Sequence, residues 1–346
     1  MFIRISLVSL FLLCALVSTA SSFAVTDDIT EYEYTEAGKN KLKIYKHDGV
    51  DAADRKTIGR YIKQAQKFLS RKPPSPTYVH MFHSTNSDLL SIGEIVCNLK
   101  GDSYPTCPAS WAQHGSEDNA AVDDGGKGTL ACNIALGEKW WSSTSGDRLG
   151  QQIMVSAHEY FHCHQLKLAD YFEAEERHGW PVTGYPDEET AAGMSGPTWL
   201  IEGSAQYFGF NFSAMKGEED YVQQMQYKMN EAQESRARGA RLEKYVSQDQ
   251  SDARGDLYAY NGGMWAAAYL AHLKGSNKEV FIDYYKDIAE LEREWREKGI
   301  MNNGWEASFE KHFSMTVKRF YKVFNKFMKK SLSKQVKILM SPGAME

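Results

Sequence analysis

Apolar positions along the chain begin with the period of a strand and end with that of a helix. Residues 30–45 alternate Tyr, Thr, Ile and Leu with polar residues, which predicts one or two strands. Residues 51–72 place Ile58, Tyr61, Ile62, Ala65, Phe68 and Leu69 at helical spacing, and Pro73, Pro74 and Pro76 end that amphipathic helix. A short strand is predicted at 78–83. Residues 88–99 are apolar without a clear period, and 100–128 are rich in Gly, Asp, Ser and Pro and read as a long surface loop. Residues 129–136 fit a strand, and 147–169 a helix capped by Ser145 or Asp147. A polar, acidic connection follows at 170–196. Beyond it nearly every segment has helical spacing: 198–215, 218–245, 260–273, 278–292 and 305–330. The pattern predicts an α+β chain. A mixed α/β N-terminal lobe spans 25–166, a helical C-terminal lobe spans 167–335, and 336–346 form a tail.

Residues 1–24 stand apart. Arg4 is their only charge, 5–17 are mostly apolar, and small residues offer cleavage after Ala20 or Ala24. This is the layout of a secretory signal peptide, and its apolar stretch is shorter than the ~20 residues that span a bilayer. The expectation is a secreted or periplasmic chain with no stable membrane insertion once the leader is removed. With 42% hydrophobic and 25% charged residues in 346, the composition excludes a disordered or low-complexity protein. The net charge of −5 gives no general attraction to nucleic acid or anionic membrane, so neither is expected as a partner. Beyond the leader the cysteines are Cys97, Cys107, Cys132 and Cys163. An even number in an exported chain predicts disulfides. Cys97 and Cys107 flank a short loop and form the first expected pair, which leaves Cys132 with Cys163. No C-x-x-C spacing suggests a cysteine zinc site.

The stretch that carries chemistry is His158-Glu159-Tyr160-Phe161-His162, an H-E-x-x-H on a predicted helix. At 3.6 residues per turn the two histidines lie about 40° apart on one face, one turn apart along the axis. Two imidazoles so placed can bind one Zn²⁺, with Glu159 beside them as a base. Leu149, Ile153, Ala157, Tyr160 and Phe161 form the adjoining apolar face. A third ligand is still needed. The metzincin continuation fails, because Gln165 stands where its glycine would be and Leu168 where its histidine would be. Glu202, in the apolar helix Trp199-Leu200-Ile201-Glu202-Gly203-Ser204-Ala205, is an unlikely place for an unpaired charge unless a metal neutralises it. Glu173, Glu188 and Glu189 sit in the polar connection, where solvation suffices. The remaining histidines carry no such spacing; His164 points to the apolar face and reads as a core residue, and His80 and His83 as structural. Asn211-Phe212-Ser213 is a glycosylation sequon.

H-E-x-x-H followed by W-L-x-E-G-x-A-x-Y resembles the gluzincin zinc metallopeptidases of the peptidase MA-like superfamily. The second motif is similar to the third-ligand helix of the aminopeptidase branch. Tyr258-Ala259-Tyr260-Asn261-Gly262-Gly263 is similar to that branch's Y-x-x-G helix start. The interval of 40 residues from His162 to Glu202 is longer than in that branch, the extra length falling in 170–196. The resemblance implies a zincin-like fold with the active-site cleft between the two lobes. It implies one Zn²⁺ held by His158, His162 and Glu202, with Glu159 as general base. It further implies that Tyr260 donates to the oxyanion, Tyr258 being its rival. A peptide or protein is the implied substrate, and the lack of a G-x-M-E-N anchor favours endopeptidase action. Two other readings share these residues: an inactive zincin-fold binding protein, and a zinc hydrolase of a non-peptide amide or ester.

Overall fold

The computed structural model describes residues 29–33, 41–45, 49–69, 77–83, 89–100, 107–116, 120–123, 132–142, 149–169, 196–217, 220–246, 254, 257–275, 279–298 and 304–339. The expected leader, residues 170–195 of the acidic connection and residues 340–346 of the tail lie outside them.

The described residues form an α+β arrangement, as the periodicity predicts. Strands β1 (Ile29–Glu33), β2 (Lys41–Tyr45), β3 (Thr77–Met81), β4 (Ala120–Asp123) and β5 (Cys132–Leu136) make one sheet in the order β1-β2-β3-β5-β4. The central three are parallel and both edges are antiparallel. Val79 sits opposite Ile44 on one side and Ile134 on the other. All of β5 is buried, as a parallel strand covered on both faces should be.

Helix α1 (Ala52–Phe68) joins β2 to β3, and its apolar face is buried as its spacing predicts. The 88–100 region, ambiguous in sequence, is helix α2 (Leu89–Lys100). The expected long loop at 100–128 holds helix α3 (Cys107–Ser116) and edge strand β4. Both are short, and in α3 burial of a few residues such as Trp111 outweighs the loop-like composition. A one-turn helix α4 (Glu138–Trp141) precedes the long α5 (Leu149–Ala169).

The C-terminal half is helical: α6 (Thr198–Met215), α7 (Tyr221–Ala237), α8 (Tyr258–Leu273), α9 (Glu279–Glu297), α10 (Gly304–Phe313), α11 (Val317–Phe327) and the short α12 (Leu332–Gln335). The helix expected over 218–245 stops at Ala237, where Gly239 takes φ +95° and a 3-10 turn follows. The helix expected over 305–330 is two. Ser314 at φ 58° breaks it, and the Thr316 side chain caps α11 by accepting from the Arg319 N–H. One connected core runs from Leu42 to Met328, so the sheet and the helices share it. A second, smaller core gathers Phe82, Ile92, Val96 and Trp111.

Both expected disulfides form. Cys97–Cys107 ties α2 to α3, and Cys132–Cys163 ties β5 to α5. The second anchors the metal-motif helix to the sheet and closes 31 residues. By chain entropy, loss of that bridge costs about 3–4 kcal/mol. The double variant Cys132→Ser/Cys163→Ser should therefore show that drop in urea unfolding. The unreduced wild-type protein should show none of these four thiols free by mass spectrometry. Among the described residues no helix is long and apolar enough to cross a membrane.

Candidate metal centre

Helix α5 packs against α1, β4, β5, α6 and α9. Ile153, Ala157, Tyr160 and Phe161 are buried, as the apolar face predicts. That packing turns His158 and His162 toward α6. His158, Glu159 and His162 are all buried, their ligand atoms lie within 4.8 Å of one another, and the group could hold a metal ion.

Helix α6 brings a fourth residue to the same point. Glu202 Oε2 lies 3.5 Å from the Nε2 atoms of both His158 and His162, which are 2.9 Å apart. The Glu159 carboxylate is farther from His158 Nε2, at 3.9 Å. The circle through the two imidazole nitrogens and the Glu202 oxygen has a radius of about 1.9 Å, set by those 2.9 and 3.5 Å sides. A point just off its plane is then about 2.0–2.1 Å from all three, the bond length of zinc to nitrogen or oxygen. The donors fit a small divalent cation without rearrangement. Two imidazole nitrogens and a carboxylate at that spacing also call for a cation between them, metal or proton, to offset their mutual repulsion.

The electrostatics follow from that crowding. Burial lowers the His162 pKa, but the Glu202 carboxylate outweighs it and holds the imidazole up at about 9. Burial raises Glu202, yet His162 and His158 hold it well below the ordinary carboxylate range. Glu159 is raised by burial, with His158 and His162 pulling the other way and Glu202 adding to the rise.

Gln165, noticed in the sequence only as a departure from the metzincin pattern, holds this geometry together. Its Nε2 donates to Ile201 O at 2.9 Å, and also lies 2.8 Å from Ser204 Oγ and 3.0 Å from the Tyr285 hydroxyl. A carbonyl only accepts, so the amide orientation is set and Oε1 must face His162. His162 Nδ1 therefore donates to it, at 2.5 Å, leaving Nε2 on the Glu202 side as the atom that takes a metal ion or a proton. The signal was legible: three residues after His162 on a helix is the same face. His158 Nδ1, by contrast, is buried with no hydrogen-bond partner among the described residues.

The glycines explain how α6 comes so close. Glu202 and Gly209, two turns apart and about 20° around the axis, share the face toward α5. A Cβ on Gly209 would meet Met154 O at 2.6 Å. Gly203, about 100° away, faces α8 instead, where a Cβ would lie 2.2 Å from the Gly263 carbonyl carbon. Each glycine lets one neighbour approach, and Glu202 is fixed between them. Gly203→Ala should cost about 1–3 kcal/mol by overpacking and weaken metal binding as Glu202 shifts, measured by urea unfolding and metal titration.

Of the two tyrosines, Tyr258 is fully buried, accepts from Arg236 Nη1 at 3.3 Å and packs on Tyr245. Tyr260 is half-buried and lies about 60° around α8 from Gly263. His164 is buried with Nε2 3.1 Å from the Tyr160 hydroxyl, and His80 stacks on Tyr45; both match the structural readings. Trp141 is buried and donates to Phe82 O, a core role. Asn211 is buried and its amide donates to Tyr207 O, so the folded chain does not present the sequon. The rival acids Glu173, Glu188 and Glu189 lie outside the described residues. No family model matches the chain, and no curated protein or solved structure matches it.

Proposed function

We propose that the chain is an exported zinc-dependent peptidase of the gluzincin type, with a zincin-like fold and its cleft between the two lobes. The observation that carries this reading is the convergence of His158, His162 and Glu202 on one point at zinc bond length, with a buried Glu159 beside it. The two disulfides support an oxidising, extracytoplasmic compartment.

In this reading His158, His162 and Glu202 would hold one Zn²⁺. Zinc, when bound, supplies Lewis-acid polarisation of the scissile carbonyl and acidifies water at neutral pH. Glu159 takes the proton of the attacking water at its carboxylate and hands it to the leaving amine. Burial raises its pKa toward the range where one group can do both. Tyr260 donates its hydroxyl hydrogen to the developing oxyanion, and Tyr258, committed to Arg236 and Tyr245, does not. Gln165 keeps His162 in the ligating tautomer and ties it to α6.

The test is digestion of casein and an internally quenched peptide library, with and without 1,10-phenanthroline. Cleavage inside peptides, lost with the chelator and restored by Zn²⁺, is the expected result. A zinc-loaded chain that cleaves nothing points to the binding-protein reading. One that cleaves only esters or non-peptide amides points to the third.

A further inference from the structure

We infer a second binding site, for a small organic anion, in a cavity formed by α7, Arg241 and the turn from α11 into α12. The cavity is a broad depression open to solvent, with a volume of about 510 Å³. Arg236, Arg241, Lys329 and Lys330 all line it, and among the described residues no acidic side chain does. Four positive charges around one concavity, with none of opposite sign in its wall, focus a positive field into it.

Arg236 is the second observation. It is 8% exposed, so its guanidinium is almost out of water. Its contacts are neutral: Nη1 donates to Asn325 Oδ1 at 2.8 Å and to the Tyr258 hydroxyl. Arg241 likewise donates only to main-chain oxygens, those of Arg236 and Ala240. Among the described residues neither arginine, and neither Lys329 nor Lys330, pairs with a carboxylate. A buried guanidinium with no counter-ion is costly, and a fork of N–H donors open to a cavity is suited to a carboxylate or phosphate. The wall also carries Met229, Met328 and Leu332, which suit an apolar body behind the anionic head. None of the lining residues belongs to α5 or α6, so this site stands independently of the metal centre.

Calorimetric titration of the intact protein with phenyl phosphate, benzoate and inorganic phosphate tests the proposal. The expected result is saturable binding at one site per chain by phenyl phosphate or benzoate, weaker for inorganic phosphate, which lacks the apolar body. Lys329→Gln/Lys330→Gln changes two exposed side chains and so keeps the fold; it should weaken binding at least threefold, and adding Arg241→Gln at least tenfold. Lys318→Gln/Lys322→Gln, on the exposed face of α11, should leave binding unchanged. No saturable binding of any probe overturns the site, as does an equal loss in both lysine pairs, which marks diffuse surface charge.

Discussion

Glu159→Gln should keep its zinc and lose hydrolysis by two to four orders of magnitude. The amide has the shape of the carboxylate but cannot take a proton from water. General acid–base catalysis is worth about 10²–10⁴-fold, or about 3–5.5 kcal/mol of barrier. Retention of the metal follows from the distances. The Glu202 oxygen lies 3.5 Å from both imidazole nitrogens, whereas Glu159 is 3.9 Å from His158, outside the tightest set of donors. Metal analysis and kcat/KM on the same preparation check both halves. A zinc-free variant would make Glu159 a ligand, and an active one would move the base elsewhere.

Glu202→Ala should lose metal and activity together. Only two protein donors would remain, on adjacent turns of one helix, and two imidazoles do not retain zinc against a weak chelator. The apo protein should stay folded, because Glu202 is not part of the apolar core and the close approaches at Gly203 and Gly209 that seat α6 remain. Glu188→Ala and Glu189→Ala should leave both zinc and activity intact, since those acids stand in a polar stretch of sequence with no apolar helical pattern around them. Zinc titration of the three variants, with circular dichroism to confirm the fold, decides the matter. Full zinc occupancy in Glu202→Ala would remove the basis of the gluzincin proposal. The opposite pattern, loss in the Glu188 or Glu189 variant, would bring a residue of the acidic connection to the metal.

Much of this architecture was legible from periodicity. The faces of α1 and α5 are buried where the spacing of Ile58, Tyr61 and Ile62, and of Ile153, Ala157 and Phe161, put them. On α11, Phe320, Phe324 and Phe327 are buried and Lys318 and Lys322 exposed, as an amphipathic stripe requires. Both disulfides followed from an even count and a short loop. The helix breaks did not. Ser314 and Gly239 interrupt segments whose apolar spacing continues through them, and a single residue in the left-handed region leaves no trace in a periodic pattern. The helix and strand inside 107–123 were missed because the elements they pack on, α2 for the helix and β5 for the strand, lie outside that segment.

At the centre the division is sharper. Helical spacing alone put His158 and His162 on one face with Glu159 beside them, because 3.6 residues per turn is a local property of the backbone. It also singled out Glu202 as a charge in an apolar helix, which needs a partner. The distance from Glu202 to the histidines is decided by how α6 packs, and that depends on Gly209 against Met154 and Gly203 against Gly263, contacts between residues far apart in the chain. The same holds for Gln165, whose hydrogen bonds run to Ile201, Ser204 and Tyr285 on two other helices. The sequence by itself determined which residues face a common side, because that follows from local geometry. Only the tertiary structure decided which of those sides meet, because close approach depends on the volume and hydrogen bonding of residues that no local rule brings together.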